Sequence, residues 1–214
     1  MKYLNNWWVP VRDEVGTSAI INEWETKHKK VLSLVNKNTR VLQAGGCVGV
    51  FPKGLSKYFK EVITFEPVEE NWDCLVKNLE GIENIKKFNS GLSDRVTKVG
   101  FHKIIANNCG AIQLKEEEFG QMKLVPFDNL MIGEVNLMWL DLEGYEAKAL
   151  LGAKNTIKKY KPVIVLENNG LIHEFKGTKE GSQELRNWMF DTFNYVLSDR
   201  LARDDIYTPK KGIF

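Results

Sequence analysis

The chain has 214 residues, 43% of them hydrophobic and 27% charged, with a formal net charge of +2. That length carries one sizeable core, and mixed charge of this kind argues against a dedicated nucleic-acid surface. No apolar run is long enough to span a bilayer, Met1–Asn6 lacks the apolar core of a secretory signal, and three cysteines without CxxC spacing suit reduced thiols rather than a zinc site.

We therefore expect a single cytoplasmic domain over 1–214, with an N-terminal helical cap over 1–36 and a core over 37–214, and neither a membrane nor a nucleic-acid partner. Trp7-Trp8-Val9-Pro10 reads as a segment packed over the core or as a flap beside an acceptor pocket. Residues 19–35 place Ile20, Ile21, Trp24, Val31, Leu32 and Val35 at helical spacing, with His28 exposed among lysines. A short strand over 40–44 runs into Gly45-Gly46-Cys47-Val48-Gly49 and then a helix reaching Lys60. The next strand, Val62–Phe65, ends in Glu66-Pro67, and a helix follows with Val68, Trp72, Leu75, Val76 and Leu79 inward. A third strand near 85–89 leads into Ser90-Gly91-Leu92-Ser93-Asp94. From Val96 to Leu124 the pattern weakens to a β-excursion, with a hairpin across 106–110.

A fourth strand, Val135–Leu140, is nearly continuous apolar sequence, as suits a parallel strand covered on both faces. It ends in Asp141-Leu142-Glu143-Gly144-Tyr145-Glu146, and a helix follows. A fifth strand, Pro162–Leu166, ends in Glu167-Asn168; a last helix around Leu185–Phe190 and strands near 195–198 and 205–208 complete the chain. Repeated β-then-α steps and a trailing β pair imply a parallel α/β sheet with an antiparallel addition.

The glycine turn and the acid about twenty residues on have the chemistry of a nucleotide site. Glycines let a ligand lie against the main chain, and Glu66 can accept hydrogen bonds from both ribose hydroxyls. A dehydrogenase and a methyltransferase both fit this much. The strand-four stretch separates them: Asp141-Leu142-Glu143-Gly144-Tyr145-Glu146 resembles the signature of the FkbM family of S-adenosylmethionine-dependent methyltransferases. Gln43–Gly49, Phe65-Glu66-Pro67, Gly91-Leu92-Ser93-Asp94 and Phe127-Asp128-Asn129-Leu130 follow in that family's order, so the resemblance runs from about Val41 to Glu167.

The resemblance implies a Rossmann-like class I methyltransferase fold, a seven-stranded, mostly parallel sheet with helices on both faces and the last strand antiparallel. It implies S-adenosylmethionine as donor and a hydroxyl of a sugar, glycan or small metabolite as acceptor. The donor residues become Gln43, Gly45, Gly46, Gly49, Glu66, Pro67, Leu92, Asp94 and Asp141, with Asp94 near the adenine amino group. Asp141, at the junction of donor and acceptor, Glu143 and His173 are the catalytic candidates. His173 is the candidate base, because imidazole titrates near neutrality. No structural metal is expected; a Mg²⁺ held by Asp141, Glu167 and Asn168 is a disfavoured alternative. The chain departs from the family pattern at Gln43, where Asp is usual, and at Cys47, where Asn or His is common. Loss of the Gln43 charge implies a weaker hold on the donor. Two other readings stand beside this one: an NAD- or nucleotide-sugar-dependent oxidoreductase, and a catalytically degenerate donor-binding protein.

Overall fold

The computed structural model describes residues 1–168 and 179–210. The N-terminal segment holds a hairpin and a helix. It opens with a two-stranded hairpin, β1 (Lys2–Leu4) and β2 (Trp7–Val9), before helix α1 (Gly16–Leu32). The hairpin is pinned by Asn78, which accepts from the Trp8 N–H and donates to the Trp8 carbonyl, both at 2.8 Å. Trp7 packs against the core beneath it.

The core then alternates strand and helix: β3 (Arg40–Ala44), α2 (Val50–Leu55), β4 (Glu61–Phe65), α3 (Glu69–Asn78) and β5 (Ile85–Phe88). Helix α2 stops at Leu55, short of the expected Lys60. Four strands follow, β6 (Gly91–Leu92), β7 (Thr97–Ile104), β8 (Ile112–Glu116) and β9 (Met122–Val125). They form a separate small sheet in the order β6-β9-β7-β8. The expected hairpin is β7–β8; β6 and β9 are too short and too mixed in composition to stand out in sequence. The rest is β10 (Leu137–Leu140), α4 (Glu146–Gly152), α5 (Lys154–Tyr160), β11 (Val163–Glu167), α6 (Lys179–Phe193), β12 (Tyr195–Leu201) and β13 (Asp204–Pro209).

The main sheet has seven strands in the order β12-β13-β11-β10-β3-β4-β5. β13 alone runs against its neighbours, pairing antiparallel with both β11 and β12. Alternate residues of the central strands feed two cores. Leu42, Ile63, Met138 and Ile164 pack against the face covered by α4, α5 and α6. Val41, Val62, Leu137 and Val165 pack against the face covered by α1, α2 and α3. This two-sided burial is why those strands read as unbroken apolar runs.

His28 lies inside that second layer, not on the surface. It is 5% exposed, its ring stacks on the Trp24 indole at 4.6 Å, and its Nδ1 is 2.6 Å from the Trp24 carbonyl. Its neighbour Lys27 is buried as well, on Asp204 at 3.0 Å. The flanking lysines therefore gave a false signal of exposure.

Candidate active site

The carboxyl ends of β3, β4, β10 and β11 open into a cleft of about 460 Å³, roofed by α1 and the β7–β8 hairpin. Its floor begins where β3 turns. Gly45 has φ +85°, and a Cβ there would lie 1.9 Å from the Asp141 carbonyl oxygen. Only a glycine allows the exits of β3 and β10 to touch. A Cβ on Gly46 would meet Leu75 and Thr64 at 2.5 and 2.8 Å. Gly49 closes the turn by donating to the Gly46 carbonyl at 2.8 Å and stands back from the cleft wall, while Phe51 of α2 lines it.

Glu66 sits at the end of β4, 4% exposed. Its Oε2 accepts the Cys47 N–H at 2.8 Å and its Oε1 the Val68 N–H at 2.9 Å. Burial pushes this carboxyl up to about 7 against the pull of those bonds and of the nearby Asn71 amide. Each oxygen keeps a lone pair for a ligand hydroxyl. Pro67 and Leu92 flank it in the wall.

Two expected donor residues are placed otherwise. Gln43 lines the cleft, but its Oε1 accepts from Thr64 Oγ1 at 2.6 Å and its Nε2 donates to the Gly45 carbonyl at 2.9 Å. It braces the turn. The Asp94 carboxylate is held by Arg95 at 3.2 Å and forms no part of the wall.

The opposite end is acidic. Oxygens of Asp141, Glu143 and Glu167 all lie within 4.8 Å of one another. Burial drives the Asp141 carboxyl well above the usual carboxylate range, and the charge and hydrogen bond of Glu167 add to it. Glu143, at φ +49°, is pushed up to about 7 by burial and by Asp141. Glu167 also rises to about 7, through burial and Glu143, with Asp141 and Arg203 pulling the other way.

Glu146 has a different task. It is 1% exposed and accepts the Leu142 N–H at 2.7 Å and the Gly144 N–H at 3.1 Å, which fixes the loop that aims Asp141 and Glu143. Asn168, expected beside Asp141 and Glu167, turns its carboxamide to Asp205 at 2.7 Å. Glu143 completes the acid cluster with Asp141 and Glu167. His173 lies outside the described residues.

Sequence reading missed Arg203 and Glu23. Arg203, in the turn between β12 and β13, lies 3.6 Å from Glu167 and 3.2 Å from Glu23 of α1. It ties the roof to the acids. Neither residue belongs to a local motif, so only the topology brings them in. Asn71 was missed too, although an amide on the first inward turn after Glu66 was a usable signal. Its Nδ2 donates to the Cys109 carbonyl in the hairpin tip at 3.0 Å.

Sheet order, the reversed β13 and a ligand cleft over the glycine turn together define a class I methyltransferase fold. The model of the methyltransferase FkbM domain matches residues 43–197, and the chain belongs to that family. This removes the oxidoreductase reading. The methyltransferase FkbM of Methylobacillus flagellatus KT superposes with a TM-score of 0.56 at 17% identity, over 82% of this chain and 45% of that one. A Streptococcus mutans protein solved in complex with SAH gives 0.52 at 13% identity, over 86% and 94%. Among curated proteins, Probable ribosomal RNA small subunit methyltransferase A of Methanococcus aeolicus is 34% identical over 76 residues. The chain spans 27% of that relative and 45% of the Methylobacillus structure.

Proposed function

We propose that this chain methylates a hydroxyl group of a sugar, a glycan or a small polyhydroxylated metabolite, with S-adenosylmethionine as donor. The observation that carries the reading is the abutment of the Gly45 turn and the Asp141–Glu143–Glu167 cluster in one cleft. The residues fit the donor: Gly45 and Gly46 present main chain without side chains to the cleft, and Glu66 has acceptor capacity left for two ribose hydroxyls. The fold neighbour solved with SAH supports the same choice.

Bound there, the donor supplies an electrophilic methyl group on a sulfonium. The chain contributes orientation first; holding two reactants in line is worth roughly 7–11 kcal/mol. Its acids then take the proton that the acceptor hydroxyl loses. Carboxyls raised towards neutrality are well matched to that step, because a base works best when its pKa lies near the working pH. Asp141 and Glu167, joined by a hydrogen bond, can share that proton between them. Arg203 limits the charge left on Glu167.

Calorimetry with SAH and with NAD⁺ tests the donor: SAH binds and NAD⁺ does not. Labelled S-adenosylmethionine offered with a panel of sugars, polyols and RNA then tests the acceptor. Label on RNA in place of the hydroxyl panel would replace the acceptor class. SAH binding without label on any acceptor would favour a donor-binding protein.

A further inference from the structure

Two of the three cysteines, distant in sequence, meet in the wall of the cleft. Cys47 belongs to the glycine turn and Cys109 to the tip of the β7–β8 hairpin, and their Sγ atoms are 3.3 Å apart. Both are free thiols, 7% and 1% exposed, and both face the cleft. Donor binding and methyl transfer as described use neither sulfur.

The backbone around each is tied down. The Cys109 N–H donates to Asp13 Oδ1 at 3.0 Å, and its carbonyl accepts from Asn71. Arg12 holds the same tip through the carbonyls of Ile105 and Asn108, at 3.1 and 3.0 Å. The Cys47 N–H is one of the two main-chain groups that position Glu66. The sulfurs are therefore presented to one another by fixed elements.

We propose that Cys47 and Cys109 form a reversible disulfide that fastens the hairpin tip to the donor turn and lowers donor affinity; the second half rests on the donor reading above. The oxidant is a small hydroperoxide, which the open cleft admits. One thiol, as thiolate, attacks the peroxide oxygen; the O–O bond breaks and leaves a sulfenic acid and an alcohol. The second sulfur attacks the sulfenic sulfur, the S–O bond breaks, and the hydroxyl departs as water with the remaining proton. Two thiols and one hydroperoxide give one disulfide, one alcohol and one water, with two electrons passed from sulfur to oxygen. A dithiol reverses the change by exchange. A disulfide bond is about 2.05 Å long, so the sulfurs close by roughly 1.2 Å. That movement draws on Cys47, whose φ is +45° and whose N–H holds Glu66.

The test uses the full chain with hydrogen peroxide, then alkylation in denaturant and peptide mapping. A Cys47–Cys109 linked peptide is expected, with Cys74 still alkylated. The linked chain should bind SAH at least about tenfold more weakly than the reduced chain, with recovery after dithiothreitol. Cys109→Ala, or Cys109→Ser if the first folds poorly, should form no link and show no peroxide effect on SAH affinity. Two alkylatable thiols after peroxide, or a linked chain that binds SAH as the reduced one does, would overturn the proposal. A reduced chain that gives no heat with SAH would instead overturn the donor reading, while the peptide map still decides the link.

Discussion

Glu66→Gln is the sharpest probe of the donor site. The carboxylate accepts two buried backbone N–H groups, at 2.8 and 2.9 Å, and is 4% exposed. A glutamine amide has one oxygen, so one of these N–H groups must face an NH₂. On the ligand side, each ribose hydroxyl exchanges a bond to a charged acceptor, worth about 1.5–3 kcal/mol, for a neutral one worth about 0.5–1.5 kcal/mol. Two such exchanges amount to about 2–3 kcal/mol, or roughly a 30- to 150-fold rise in the Kd for SAH. Isothermal calorimetry at pH 8 reads this directly, because the wild-type carboxyl, raised to about 7, is mostly ionised there. As pH rises through about 7, wild-type affinity should increase while Glu66→Gln stays flat, since the protonated acid must give up its proton to accept a second hydroxyl. A Kd within about threefold of wild type, from a variant with an unaltered melting temperature, would refute the ribose assignment.

The cleft as a whole gives three further expectations. Asp141→Asn should cut turnover by about 100-fold or more while SAH affinity stays within a few fold, measured by label transfer and calorimetry. Glu66, Glu143 and Glu167 are all raised from 4.5 to about 7, so the folded chain binds more protons than the unfolded one between those values. Their stabilisation is present below about pH 4.5 and is lost as pH rises through about 7; urea midpoints should therefore fall from pH 5 to pH 8, and a rise would contradict the burial argument. Gly45→Ala must place a Cβ 1.9 Å from the Asp141 carbonyl at φ +85°, so the unfolding free energy from urea melts should drop by about 2 kcal/mol or more with SAH binding lost.

The sequence made the central sheet legible because two-sided burial writes itself as unbroken apolar strands at β3, β4, β10 and β11. The acids that end those strands, Glu66, Asp141 and Glu167, were legible for the same reason: a charge after such a run marks the sheet's carboxyl edge. The roles of Gln43 and Asn168 were not, because each depends on a partner that no local pattern names: Thr64 and Asp205. Nor was the burial of His28, since the packing of α1 through Trp24 onto the core is a tertiary fact masked by three flanking lysines. Cys47 and Cys109 looked isolated for want of spacing, yet the hairpin brings them together.

Arg203 makes the competence of this protein a late event in its making. The guanidinium that offsets Glu167 comes from the turn between β12 and β13, made after all three acids of the cluster. β13 has to slot in beside β11 before that turn can reach α1, some 180 positions upstream. Until then, a nascent chain with its glycine turn already formed holds three crowded carboxyls without their counter-ion. Order of synthesis thus withholds the finished pocket until the whole sheet has closed.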